Sequence, residues 1–351
     1  MIVTESLVSI VIPIRAETEN QREVARLEIL LETIPDCFAI VIVDDGSHRR
    51  VYRYLESRVK SWGQERQLTL KRLNTRYRRF SLARARNAGV RVARSSVVML
   101  HDVDFIGLPE VYERIYRYVQ QQELATRPEN FFCVPVAFLS ESGTQTFWGA
   151  FQQAREPWCF RLRDVTPYGQ LNFLVQGSSC MVLNRRDLLQ MGGHDRRFRG
   201  HGAEDFELLH RLSSRFPIAP RPPEYERNMG SGNIQEYRGF RAYFALYGEE
   251  ARRAGCTLVH LWHPKRTERK YYQHRRNFTL LQKILKRHSL RVGPRRWLAR
   301  QPLPQGQRRQ LKPSIMFDAP FEAANSDVST FSPLSPRLDV ERVWKYQTNW
   351  E

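Results

Sequence analysis

Apolar and polar residues alternate in blocks along the first third of the chain. The run LVSIVIPI, residues 7–14, is almost wholly apolar, as in a parallel strand buried on both faces. Val24, Leu27, Leu30, Leu31 and Ile34 then recur at helical spacing, which predicts a helix over 17–33. FAIVIVDDGS (38–47) reads as a second strand closed by a turn. A helix over 51–62, a short strand over 68–73, a helix over 81–93 and a strand over 97–100 continue the series. Strands alternating with helices in this way predict an α/β protein with a doubly wound, mostly parallel sheet flanked by helices. In such sheets ligands gather beyond the carboxyl ends of the strands.

The region 125–265 is less regular. A helix is predicted over 186–191, stopped by Gly192-Gly193, and another from Ala203 to Arg215. The proline-rich stretch 217–233 reads as loop. Residues 271–288 predict a helix with apolar Phe278, Leu281, Ile284 and Leu285 on a basic background. Beyond Ser289, prolines, arginines and serines predict a tail with little structure of its own.

Composition narrows the setting. A hydrophobic share of 41% with 11% aromatics belongs to a globular chain rather than a disordered one. No apolar run is long enough to span a bilayer, and the N-terminus lacks the basic region and cleavage site of a signal peptide. Five cysteines with no C-x-x-C pair argue against a disulfide framework or zinc ribbon, so a reducing, cytoplasmic setting is expected. The net charge of +19 is unevenly placed: residues 265–312 hold sixteen Lys or Arg against Glu268 alone. Such a block predicts a polyanionic partner, whether an anionic membrane surface, an acidic protein or polymer, or nucleic acid. A solvated tail is the plainer alternative.

Three polar strings fall at predicted strand exits: Pro13-Ile14-Arg15, Asp44-Asp45-Gly46-Ser47 and Asp102-Val103-Asp104. Carboxylates close to a core are costly unless paired. LHDVDF (100–105) therefore reads either as a site where hard oxygens hold a divalent cation or as a polar loop. In FRGHGAEDFELLHRL (198–212), Glu204 and Asp205 open a predicted helix behind two glycines. They are either first-turn acids favoured by the helix dipole or a general base with its neighbour. VHLWHPKR (259–266) places His260 and His263 three residues apart, a pair able to approach one metal as neutral imidazoles.

Taken together, these strings resemble a known family. FRGHGAEDFE (198–207) resembles the F-W-G-W-G-G-E-D-D-D signature of the beta-1,4-galactosyltransferases, and DLLQMGGHDRRF (187–198) resembles the helix and turn before it. LHDVDF resembles that family's D-V-D metal motif, and VIPIRAETEN its nucleotide-binding first strand. VDDGS and SLARARNAG are closer to the bacterial family-2 inverting polysaccharide glycosyltransferases that include chondroitin polymerase. The resemblance runs over residues 7–280 and leaves the tail uncovered.

It implies a GT-A nucleotide-diphospho-sugar transferase fold, with residues 1–125 as the nucleotide-sugar half, 126–288 as the acceptor and catalytic half, and 289–351 as a basic tail. The implied reaction is inverting transfer of a sugar, galactose or N-acetylgalactosamine by resemblance, from a UDP-sugar to a surface polysaccharide or lipid-linked glycan. Asp205 aligns with the base and Glu204 with its acceptor-contacting neighbour. Asp104 and His263 align with metal ligands for Mn2+ or Mg2+, and His260 stands where the family has methionine. The donor maps to Pro13, Arg15, Asp44, Arg86, Asp102 and Val103, the acceptor to Gly177 and Ser178. His201 replaces a tryptophan that closes over the donor in the family. The basic segment then suggests an interfacial helix on the inner face of the cytoplasmic membrane. A retaining transferase would share the fold without needing Asp205. The rival from another class is a nucleic-acid- or polyanion-binding protein on a vestigial transferase fold. The charge supports it, but no recognised nucleic-acid motif is present.

Overall fold

The computed structural model describes residues 5–63, 66–152, 169–177, 179–230, 236–264 and 271–291. Strand β1 (Val8–Ile14) is buried at every position. It lies between β2 (Phe38–Asp44) and β4 (Val97–Leu100), both parallel to it, and β3 (Leu68–Arg72) extends the sheet beyond β2. The chain climbs through α1 (Arg22–Thr33), α2 (Arg49–Trp62) and α3 (Leu82–Val92) between these strands. Because β2 and β3 lie on one side of β1 and β4 on the other, the strand order reverses between β1 and β4. The carboxyl ends of the strands at such a reversal are where open α/β sheets hold ligands.

Helix α1 starts at Arg22, five residues later than the spacing predicts. The Gln21 side chain accepts from the Glu17 N–H, a local bond that competes with helix. From Val24 onward the apolar face wins.

The irregular middle contains more structure than its pattern suggests: β5 (Phe105–Ile106), α4 (Pro109–Gln121), β6 (Phe132–Cys133), β7 (Val136–Leu139), α5 (Glu141–Gln152), β8 (Leu171–Val175) and β9 (Met181–Asn184). β9 joins the first sheet antiparallel to β4, with β6 outside it, so the sheet is mixed at that edge. Helix α6 (Arg185–Gln190) ends at Gly192-Gly193 as predicted. Next come α7 (Glu204–Arg215), β10 (Asn228–Met229), β11 (Arg238–Gly239), α8 (Phe240–Arg253), β12 (Leu258–His260) and α9 (His274–Arg291). The second sheet runs β5-β12-β7-β8 and delivers the histidine string to the loop after β4, because His260 pairs with Phe105.

One expectation is corrected by α9. Leu281 and Leu285 are each 1% exposed, and the Phe278 ring lies 6.1 Å from that of Phe206 on α7. The apolar face is packed into the protein's own core rather than offered to a bilayer, which leaves exposed Arg275, Arg276, Lys283, Lys286 and Arg287. No described helix is long and apolar enough to cross a membrane. The rest of the basic block and the tail lie outside the described residues.

Candidate functional site

The loop after β4 is anchored by His101, which is fully buried. Its Nε2 lies 3.1 Å from the Tyr112 hydroxyl and its Nδ1 2.8 Å from the Asp102 carbonyl. Burial pushes the ring's pKa down to about 4, so it is neutral. The two aspartates beyond it are held separately. Asp102 accepts from Arg86 Nη2 (2.6 Å) through Oδ1 and from the Ser179 hydroxyl (3.2 Å) through Oδ2. Asp104 takes Arg26 Nη1 on Oδ1, while its Oδ2 faces His263 Nε2 at 3.4 Å.

β12 sets both histidines. The His260 ring stacks on Phe138, centroids 4.3 Å apart, and burial pushes its pKa down to about 3. His263 Nδ1 lies 2.8 Å from the Pro264 carbonyl. A carbonyl only accepts, so Nδ1 carries the proton and the Nε2 lone pair faces Asp104. Burial works against the Asp104 charge, but the Arg26 guanidinium outweighs it and holds the carboxyl well below its usual range. One ligand atom from each of Asp104, His260 and His263 lies within 4.8 Å of the others. A carboxylate oxygen with two imidazole nitrogens is a donor set that fits a divalent metal ion.

Arg86 joins this loop to the acid pair. Its side chain is 1% exposed, with Nη2 on Asp102 and Nη1 3.9 Å from Glu204 Oε1. Burial opposes its charge, yet Asp102 and Glu204 overcome that and raise its pKa. Sequence reasoning put Arg86 at the nucleotide; in the structure its guanidinium faces these carboxylates from within the protein. Removing one member of a buried ionic group costs about 3–5 kcal/mol. Arg86→Met is therefore expected to lose stability on that scale in a denaturant melt, with Asp102 and Glu204 left unpaired.

Glu204 and Asp205 open α7 after a tight turn. Gly202 has φ +120° and Ala203 φ +66°, and a Cβ on Gly202 would fall 2.8 Å from His274 Nδ1. The left-handed alanine is strained, and neighbouring bonds hold it. Asn277 donates to the Arg199 and Gly202 carbonyls at 2.9 Å each, and His201 N–H donates to the Tyr271 carbonyl. The His201 ring stacks on Tyr271. Glu204 is buried and accepts from the Gly202 N–H (2.7 Å); burial raises its pKa. Asp205 is half-buried, and Oδ1 accepts from the Phe206 N–H (2.9 Å).

At the β1 and β2 exits the roles divide. Arg15 donates to the Arg76 and Arg78 carbonyls, tying down the loop after β3. Asp45 is consumed by Thr75, Ser81 and Arg84. Asp44 is fully buried and accepts from the Ser47 N–H, but its Oδ2 has no hydrogen-bond partner; the nearest cation, Arg72, stands 3.7 Å away. Pro13 is buried within β1, and Val103 is buried in the loop after β4. Gly177 packs against α8, where a Cβ would meet the Phe244 backbone at 2.8 Å; Ser178 lies outside the described residues. Arg26, His101 and Ser179 were not singled out from sequence. Arg26 alone left a trace, as a charge inside the apolar face of α1.

The family model described as Glycosyltransferase like family 2 matches residues 9–287. No curated protein matches the chain. Solved structures similar to it include S. aureus TarS 1–349 in complex with UDP (14% identity, 60% of this chain and 55% of that one, TM-score 0.37). The mannosyltransferase PcManGT from Pyrobaculum calidifontis, in complex with GDP-Man and Mn2+, is 17% identical over 83% of this chain and 66% of that one, with a TM-score of 0.42. GalNAc-T7 with UDP, GalNAc and Mn2+ is 12% identical over 80% and 48%, with a TM-score of 0.45. The chain spans between about half and two thirds of the length of these proteins.

Proposed function

This chain belongs to the family described as Glycosyltransferase like family 2 and has a GT-A type of fold, and from that premise we propose metal-dependent, inverting transfer of a sugar from a UDP-sugar to a hydroxyl of a surface polysaccharide or lipid-linked glycan. The observation that carries the reading is the convergence at one sheet edge. Asp104, His260 and His263 offer ligand atoms within 4.8 Å of one another, and Arg86 links the neighbouring Asp102 to Glu204, beside Asp205.

In this reading Asp104, His260 and His263 would hold Mn2+ or Mg2+. When bound, the ion supplies positive charge for the departing diphosphate. Asp205 takes the proton from the acceptor hydroxyl as its oxygen bonds to the anomeric carbon. The bond from that carbon to the phosphate oxygen breaks on the opposite face, and its electron pair leaves with UDP. Glu204, with Gly177 and Ser178, contacts the acceptor. Asp44 Oδ2, a buried acceptor with no hydrogen bond, suits the uracil ring N–H once Arg72 gives way. Arg15, Pro13, Asp102 and Val103 line the nucleotide side, and Arg86 fixes Asp102 from behind. The donor sugar is proposed as galactose or N-acetylgalactosamine. The exposed basic face of α9, continued by the block up to residue 312, would draw an anionic leaflet or an acidic partner.

The test is donor turnover. Purified protein with Mn2+ and a panel of UDP-sugars is expected to release UDP slowly from one of them, and chelation is expected to stop it. No turnover and no Mn2+-dependent UDP binding would overturn the proposal and return attention to the polyanion-binding reading.

A further inference from the structure

We propose that Arg26 is a built-in counter-cation of the Asp104 site, so that a divalent metal binds there together with a nucleoside diphosphate and only weakly alone. The inference rests on the metal-dependent reading above and extends it to the order in which the ligands assemble.

Arg26 sits on the inward face of α1 among Val24, Leu27 and Leu30, and its side chain is 3% exposed. A charge is placed there only if it is paired. Its Nη1 holds Asp104 Oδ1, and its Nη2 donates to the Trp262 carbonyl at 2.8 Å. The fork thus spans the loop after β4 and the segment leading from β12 to His263. The Asp104 carboxylate is divided: one oxygen meets a guanidinium, the other faces the His263 imidazole at 3.4 Å.

That division decides the charge of the site. Among the three grouped ligands only Asp104 carries a formal negative charge, and Arg26 cancels it. Asp102, the other carboxylate of the string, is matched by Arg86 at 2.6 Å. An oxygen-seeking divalent ion draws much of its affinity from negative ligands, and Mg2+-like ions complete their shells with substrate phosphates. Arg86 is shared with Glu204, but the one carboxylate of the ligand group is already balanced by Arg26, so the negative charge an ion needs there arrives with the diphosphate. Like-charge repulsion between Arg26 and a bare ion on Oδ2 acts in the same direction, since both lie on one carboxylate in a partly buried setting.

The experiment is Mn2+ titration of the intact protein, followed by the EPR signal of free Mn2+, with and without UDP and corrected for Mn2+ held by UDP alone. Wild type is expected to bind Mn2+ at least tenfold more tightly with UDP than without. Arg26→Met is expected to bind Mn2+ without nucleotide at least tenfold more tightly than wild type, whereas Arg26→Lys, which keeps the charge, stays near the wild-type value. A residue that merely braced the β12 exit would weaken Mn2+ binding in both variants. Unchanged or weaker binding by a folded Arg26→Met protein overturns the proposal. Should that variant not fold, the wild-type comparison still decides, because nucleotide-independent binding within tenfold of the UDP-bound value overturns it. No Mn2+ binding in any condition overturns this inference and the metal-dependent function together; tight binding by wild type without UDP removes this inference alone.

Discussion

Asp205→Asn is expected to slow sugar transfer by about 1000-fold, roughly 4 kcal/mol of barrier, while Mn2+-dependent UDP binding stays within about twofold of wild type. The reason lies in how the two acids of α7 are held. Glu204 is buried, accepts from the Gly202 N–H and stands beside Arg86. Changing it would disturb the turn and the buried ionic group together. Asp205 is only half-buried, and its Oδ1 takes the Phe206 N–H just behind it. Asparagine keeps the shape and the oxygen that accepts this bond, but it cannot accept a proton. A loss in turnover without a loss in donor binding would therefore report proton transfer rather than folding. Product formation by the asparagine variant within tenfold of wild type would remove Asp205 from the role of base and favour a retaining mechanism.

How far the sequence alone could go depends on whether a residue's partners lie nearby in the chain. β1, β2 and β4 were legible because strands buried on both faces are apolar throughout. α3 and α7 were legible because one face repeats at helical spacing. β5, β6 and β12 are two or three residues long, too short for any period, and exist because longer strands pair with them. The acids and histidines of the site could be picked out because carboxylates at strand exits contradict burial. Their arrangement could not. Arg26 lies 78 residues from Asp104 in sequence, and Ser179 lies 77 from Asp102. No local pattern announces either pairing. Arg86 is the reverse case: its motif is recognisable, but motif position says nothing about the carboxylates its guanidinium faces. The α9 pattern was read correctly as amphipathic, yet periodicity does not distinguish a face meant for lipid from one that packs on α7.

Asp104→Ala separates metal chemistry from structural charge. The substitution removes the sole carboxylate of the ligand group, so Mn2+-dependent UDP binding is expected to weaken on the order of 100-fold or more, at least as far as loss of an outer-shell partner weakens a site. It also strands the Arg26 guanidinium, 3% exposed, without its counter-charge, which is expected to cost about 3 kcal/mol of stability. The two effects part in a double-mutant cycle. Adding Arg26→Met to Asp104→Ala removes the unpaired charge and should return most of the lost stability in a denaturant melt. It restores no ligand, so Mn2+-dependent UDP binding should remain as weak as in the single variant. Calorimetric titration of UDP in the presence of Mn2+ reads one arm of the cycle and the denaturant midpoint the other. If Asp104→Ala still bound UDP with Mn2+ within tenfold of wild type, the Asp104, His260 and His263 group would be an ionic brace between β12 and the loop after β4, and the metal would have to be sought at Asp102.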